Sequence, residues 1–188
     1  VSTGARYAKN GVSKNQLTAI TGADFEHVFT PEELMLEHAR VGKKIVVYDN
    51  TSYEVGPGIA EYLADQGKEV TFVTIDSGLA MSVTELGLNK VISKRLLPKV
   101  TFLPQTQISA IDPANVTLTH YFTGEQTVLE DVDNIILVTS KPPEEALYHA
   151  LLSAVPDLQI VGDAREARWS VFATDEAIKD GRRAGLAV

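Results

Sequence analysis

Hydrophobic positions in this chain fall into two kinds of run. Short unbroken apolar runs, rich in β-branched residues, occupy residues 43–48 (with Ile45-Val46-Val47-Tyr48), 69–74 and 135–139. Runs of that length and composition predict strands buried on both faces of a parallel sheet. A second kind alternates: Val116, Leu118, His120 and Phe122 share one side of an extended segment, as in a strand with one wetted face. The turn Thr123-Gly124-Glu125-Gln126 and a strand at 127–129 complete a hairpin. Further strands are predicted at 100–103, 106–111 and 158–161.

Helical signals sit between these runs. Thr30-Pro31-Glu32-Glu33 combines a capping threonine, a proline at the first helical position and a capping-box glutamate, predicting a helix to about Arg40. Residues 56–66 place Ile59, Ala60 and Leu63 on one face and end at Gly67. Ser82-Val83-Thr84-Glu85 reads as a second capping box, opening a helix through Ile92 and Leu96 that Pro98 stops. Pro142-Pro143-Glu144-Glu145 opens another through Leu152, and a last helix covers 174–187. Residues 4–24 hold no hydrophobic period. The strand–turn–helix–strand run from 43 to 74 has the order and length of the first βαβ unit of a Rossmann-type domain. The expected fold is α/β: a Rossmann-like parallel sheet with a small antiparallel meander inserted.

Composition narrows the chemistry. The 188 residues, 44% hydrophobic and 22% charged, suit one substantial globular domain or one domain plus part of another. A net charge of −8 argues against a nucleic-acid or anionic-membrane partner. No apolar run approaches the roughly 20 residues that span a bilayer, and no signal-peptide pattern opens the chain. With zero cysteines, a disulfide framework, a Cys-X-X-Cys centre and a cysteine-ligated cluster are excluded within these residues. His27, His38, His120 and His149 are scattered without an i, i+4 pair, so they read as structural and not as metal ligands.

Two strand-to-turn signatures bracket the chain, Val1-Ser2-Thr3-Gly4 and Val161-Gly162-Asp163-Ala164. A chain that opens on the last residues of a strand is expected to be a piece of a larger nucleotide-binding enzyme. Gly162-Asp163 alone supports two readings: a cofactor contact at the carboxyl end of a strand, or a turn pair.

The complete unit raises its own question. A dinucleotide turn needs glycines so that backbone amides approach the pyrophosphate. Here the turn is Asp49-Asn50-Thr51-Ser52-Tyr53-Glu54-Val55-Gly56, and only the last glycine is present. Asp49 and Glu54 place negative charge where a dianion would sit, each like-charge contact costing on the order of 1–4 kcal/mol, and Tyr53 adds bulk. Thr74 stands where an acidic residue would hold a ribose hydroxyl, Asp76 is expected to be solvated, and no arginine cluster follows. The expectation is a scaffold that binds no NAD(P), its crevice closed by its own side chains.

Several motifs together resemble a known family. Thr3-Gly4-Ala5-Arg6-Tyr7 is similar to the Ala-Thr-Gly motif of two-dinucleotide-domain flavoproteins, with Ser2 in place of alanine. Gly22-Ala23-Asp24 and Val28-Phe29-Thr30-Pro31-Glu32-Glu33-Leu34-Met35 resemble the link into the second domain. Val46-Val47-Tyr48-Asp49 and Ala60-Glu61-Tyr62-Leu63-Ala64 resemble its first βα unit; Leu137-Val138-Thr139-Ser140 and Gly162-Asp163 fall where two later motifs do. The chain resembles, over nearly its whole length, the C-terminal nucleotide-binding region of the NADH:flavin oxidoreductases (old yellow enzyme family) of the trimethylamine dehydrogenase and 2,4-dienoyl-CoA reductase type. Trimethylamine dehydrogenase-like members have a similarly altered dinucleotide loop. One departure is that residues 165–180, with Arg165, Arg168 and Trp169, form a longer stretch than the family has there.

The resemblance implies a cytoplasmic parent oxidoreductase with an N-terminal barrel carrying FMN, in several members a [4Fe–4S] cluster, and an ADP or FAD pocket. It assigns Thr3, Gly4, Gly162 and Asp163 to cofactor binding, and no catalytic or metal-ligating residue to this chain. Residues 1–41 and 141–188 would be remnants of the FAD/ADP domain, and 42–140 a degenerate NAD(P)-type domain. The piece itself is expected to hold no cofactor and to be inactive alone. Its partners would be the missing barrel, a small amine substrate of the parent and a second copy of the chain in a homo-oligomer. Two alternatives stand: the NAD(P)H domain of a dienoyl-CoA reductase-like enzyme, and a non-enzymatic assembly module.

Overall fold

The computed structural model describes residues 1–36, 39–167, 178–183 and 185. The chain divides into two compact units, Tyr7–Ser140 on one hand and Val1–Arg6 with Lys141–Val188 on the other.

The larger unit is built on five parallel strands: β1 (Val28–Phe29), β2 (Lys44–Asp49), β3 (Glu69–Thr74), β4 (Thr101–Leu103) and β8 (Asn134–Val138). Their order is β1-β8-β2-β3-β4. Three antiparallel strands, β5 (Thr106–Ile111), β6 (Val116–His120) and β7 (Gln126–Leu129), form a second sheet. The helices are α1 (Pro31–Met35), α2 (Val55–Asp65) and α3 (Leu88–Leu96).

Strict alternation along the central strands explains why their sequences are apolar throughout. Ile45, Val47, Val70, Phe72, Ile136 and Val138 turn to the helix side, packing with Leu34, Ile59, Ala60, Leu63 and Leu96. Val46, Tyr48, Val73, Ile135 and Leu137 turn the other way and meet Ile108, Ile111, Val116 and Leu118 of the antiparallel sheet. Each such side chain, fully buried, contributes roughly 1.5–3 kcal/mol. Both faces are covered, as a parallel sheet requires.

Local signals explain the helix ends. The Thr30 hydroxyl accepts from the Glu33 amide at 3.3 Å, and the Glu33 carboxylate accepts from the Thr30 amide at 2.8 Å. Lys9 pairs with Glu33 at 2.5 Å, so the same carboxylate ties the preceding segment to α1. The helix ends at Met35, short of Arg40. At the end of α2, Gly67 (φ +79°) lets its own amide reach the Ala64 carbonyl (2.9 Å) and that of Lys68 the Leu63 carbonyl (3.2 Å).

Three expectations are corrected. Ser82–Glu85 forms no capping box; Met81–Leu86 is a 3₁₀ turn, and α3 starts only at Leu88 after Gly87 (φ +69°). The reason is that the Ser82 amide is bonded to the Ser52 carbonyl at 2.9 Å, and Ala80 turns left-handed to put it there. Pro142 and Pro143 do not open a helix: Arg6 donates to the Pro142 carbonyl (3.3 Å), Pro143 bridges Ala5, and α4 spans Ala146–Leu151. A residue before proline is held extended, which suits pairing and not a first helical turn. Residues 158–161 are no regular strand, although Val1 donates to Gln159 (2.7 Å) and accepts from Val161 (2.9 Å). That straddling pair is the bonding of parallel neighbours. The larger unit runs from Tyr7, since Ile20, Ala23 and Val28 belong to its core and β1 pairs with β8. Of the predicted helix at 174–187, the described residues, 178–183 and 185, are helical.

Gly22 tests the packing of that leading segment. It has φ +81°, and a Cβ there would lie 2.0 Å from the Ile111 carbonyl oxygen, whereas one at Gly67 would meet nothing within 4 Å. Gly67→Ala is expected to cost about 1–2 kcal/mol for the left-handed backbone alone. Gly22→Ala adds a backbone clash and should cost at least twice that in urea unfolding; equal costs would contradict the packing.

Candidate functional site

In an open α/β sheet, ligands bind beyond the carboxyl ends of the strands where strand order reverses. Here that place lies between β2 and β8, which pair from Ile45↔Asn134 to Asp49↔Val138. The molecule's own groups fill it from two directions.

From below comes Asp49, the last residue of β2, only 1% exposed. Its Oδ1 accepts from the Thr51 amide at 2.8 Å and the Thr51 hydroxyl at 2.7 Å. Burial pushes its pKa up to about 6, and the neighbouring charge of Asp76 pushes the same way; the Thr51 bonds and the Ser52 amide pull it back. The carboxylate packs on Gly56 in the first turn of α2, where a Cβ would sit 2.7 Å from Asp49 Cβ and Cγ. So the surviving glycine makes room for a side chain of the protein itself. The start of a helix favours negative charge, and here an internal carboxylate supplies it.

From above comes the polar stretch after Tyr7. Ala8 donates to the Ser140 carbonyl (2.8 Å), while the Ser140 amide and hydroxyl both donate to the Val12 carbonyl (3.2 and 2.6 Å). Thr139 Oγ1 donates to the Ala8 carbonyl at 3.2 Å. Over β2, Asn50 Nδ2 donates to Ser13 Oγ (2.5 Å) and Tyr48 OH (3.3 Å), Asn15 donates to Asn50 Oδ1 (3.3 Å), and the Tyr48 hydroxyl donates to Gln16 (3.1 Å). Ser13, Asn50 and Thr139 are buried. Residues 8–16 therefore strap the strand ends, and the absence of any hydrophobic period there hid it from sequence reading.

The turn is locked sideways as well. Ser52 is buried and left-handed (φ +66°); its hydroxyl donates to Asp76 and its carbonyl accepts from Ser82 (2.9 Å). Asp76 is thus engaged, not simply solvated: the shortness of Ser52 brings the two turns together. Thr74 is buried, its hydroxyl accepting from the Asp76 amide at 3.2 Å.

The other four residues singled out from sequence lie in the smaller unit. Thr3 donates to the Glu144 carbonyl, and the Glu144 amide donates to the Gly4 carbonyl at 2.9 Å. Gly162 opens the short 3₁₀ turn Gly162–Ala164 that contains Asp163, and its carbonyl accepts from Arg165 (2.9 Å) and Glu166 (3.2 Å). Since Val1 pairs between Gln159 and Val161, Thr3-Gly4 and Gly162-Asp163 follow the ends of adjacent parallel segments. Gly4 (φ +86°) and Gly162 (φ +66°) both face open space. Arg165 is paired with buried Asp180 at 2.7 Å; Arg168 and Trp169 lie outside the described residues, as does His38. Among the described residues no group of three His, Cys, Asp or Glu is placed to hold a metal, and no helix is long and apolar enough to cross a membrane.

Residues 29–132 match the family described as the OYE-like second alpha/beta domain. The chain belongs to that family. The OYE-like chain is 28% identical over 204 residues to dimethylamine dehydrogenase of Hyphomicrobium sp. (strain x), covering 93% of this chain and 27% of the relative. It is 26% identical to cinnamate reductase of Clostridium sporogenes, covering 87% and 24%. In structure it superposes on 6-hydroxypseudooxynicotine amine oxidase (HisD) of Pseudomonas geniculata N1 with a TM-score of 0.88 and 28% identity, over 98% of this chain and 28% of that one. Its relatives are oxidoreductases, and it spans about a quarter of their length.

Asp49 makes stability depend on pH. Between its ordinary value of 3.8 and about 6, the folded state holds more protons at this site than the unfolded state, so stability falls as pH rises through that window. Asp49→Asn keeps an acceptor for Thr51 without the charge. Its stability relative to wild type should grow by about 2–3 kcal/mol from pH 4 to pH 7.5 in denaturant titrations. A difference that stays flat with pH would refute the buried charge.

Proposed function

We propose that this OYE-like chain is the structural and adenine-nucleotide part of a larger flavin-dependent oxidoreductase that oxidises a small amine, and that its Tyr7–Ser140 unit does not bind NAD(P). The observation that carries the second half is Asp49, buried against Gly56 under a strap of polar bonds. A pyrophosphate would have to displace a carboxylate from that place. The amine substrate class is supported by the dimethylamine dehydrogenase and amine oxidase similarities.

The Thr3, Gly4, Gly162 and Asp163 cluster fits the adenine-nucleotide half of such a cofactor. Two left-handed glycines with open space above them give a ligand access to backbone, and Asp163 stands beside one of them to accept from a ribose hydroxyl. When bound in the parent, flavin supplies hydride acceptance; this chain contributes binding and orientation only. The FMN, an iron–sulfur cluster and the barrel belong to residues outside it, and the cytoplasm is the compartment that reading assigns.

Isothermal titration with NADH and with NADPH should show no saturable binding of the chain up to millimolar concentrations. Micromolar saturation would instead favour an enoyl reductase's NAD(P)H domain, the second reading, to which the cinnamate reductase similarity points. In the complete polypeptide, purified protein should carry flavin, and Asp163→Ala should weaken adenine-nucleotide retention by tenfold or more; unchanged retention would remove Asp163 from the site.

A further inference from the structure

An apolar groove of about 350 Å³ lies between α1 and α2, with room for two or three side chains, walled by Tyr7, Pro31, Met35, Leu36, Val55 and Ile59. Leu36 is 73% exposed, Met35 44% and Val55 37%. Scattered exposed hydrophobics are ordinary, but a contiguous concave set marks an interaction site. One charged residue, Glu32, also lines it. Its Oε1 accepts from the Tyr7 amide at 3.1 Å, while its Oε2 is buried and has no hydrogen-bond partner. A carboxylate oxygen removed from water without a donor is unfavourable, and a cation supplied from outside would relieve it. The surroundings point the same way: beyond burial, the charges of Asp49, Glu32 and Glu54 all raise the pKa of the Tyr7 hydroxyl, so this end of the groove lies in a negative field.

We infer that the groove docks a segment from the rest of the complete polypeptide, one that presents an apolar side chain beside an arginine or lysine paired with Glu32. The inference rests on the reading of this chain as part of a longer flavoenzyme. Two relatives share only 27% and 24% of their lengths with it, so most of each polypeptide is available to cover such a surface. A second copy of this chain is a poorer occupant. A two-fold contact would set the patch against itself, bringing Glu32 towards Glu32 in a chain of net charge −8.

Hydrogen exchange read by mass spectrometry, on the 188-residue chain and on the complete polypeptide, tests this. In the complete polypeptide, amides at 32–36, 55–56 and 58–62 should exchange at least tenfold more slowly, with β2 and β3 unchanged. Leu36→Asp, at an exposed position, should return those rates towards the short chain's without shifting the short chain's melting. Glu32→Gln, which keeps an acceptor for Tyr7, should do the same in part. Equal rates in the two proteins would overturn the docking, and so would protection of the short chain that grows with its concentration, the signature of self-association. Unchanged rates in Glu32→Gln would overturn the cationic contact. Flavin measured in the same sample separates the two ideas: a flavin-bearing polypeptide with a fast-exchanging groove refutes docking alone, and a flavin-free one refutes the parent reading.

Discussion

Burying the Asp49 carboxylate strips it of water, and the chain around it is arranged to supply substitutes. Thr51 gives an amide and a hydroxyl, and Gly56 gives space. With Thr51 bent back onto Asp49, Ser52 turns left-handed, its hydroxyl reaching Asp76 and its carbonyl Ser82. The 3₁₀ turn at Met81–Leu86 and the late start of α3 follow from that last bond. One charged group thus shapes two successive connections at the carboxyl end of the sheet, β2 to α2 and β3 to α3. Its raised pKa records how incompletely hydrogen bonds replace hydration.

The fold itself is held by its core. Its stability comes from two apolar layers that the central strands serve alternately, and both lie below the turn. A sheet of this order leaves a crevice at the switch point whatever the loops contain. Buried polar ends must be satisfied by something, and in this chain the strap at 8–16 and the Asp49 turn satisfy them. Architecture and binding are therefore separable here, as they are across folds generally.

What the sequence revealed follows the same division. Strands buried on both faces were legible from composition alone: 69–74 matches β3 to the residue, and β2 and β8 differ from expectation by one; the antiparallel 106–111 matches β5 as well. The Thr30 cap was legible because both its bonds are local. Ser82 shows the identical motif, yet its amide is taken by a residue thirty positions away, and no local rule can see that. The strap was illegible for a related reason. Ser13, Asn15 and Gln16 act through bonds to Asn50 and Tyr48, and polar residues bonding at long range leave no period. The closing of the crevice was foreseen from Asp49 and the missing glycines; the engagement of Asp76 was not.

Glycines separate the two units more sharply than any charged residue does. At Gly56 a side chain would strike the protein's own carboxylate, so that glycine serves internal packing and records nothing about a present ligand. At Gly4 and Gly162 a side chain would strike nothing, and packing gives no reason for their lack of one. Left-handed backbone explains glycine there in part, since other residues pay about 1–2 kcal/mol for it. Yet Ser52, Ala80 and Asp157 adopt the same conformation in this chain without being glycine. Conformation alone therefore does not require the choice at Gly4 and Gly162. Left-handed Gly67, Gly87 and Gly124 face open space as well, so what Gly4 and Gly162 share with them is an accessible backbone, and only their place after adjacent parallel segments sets them apart.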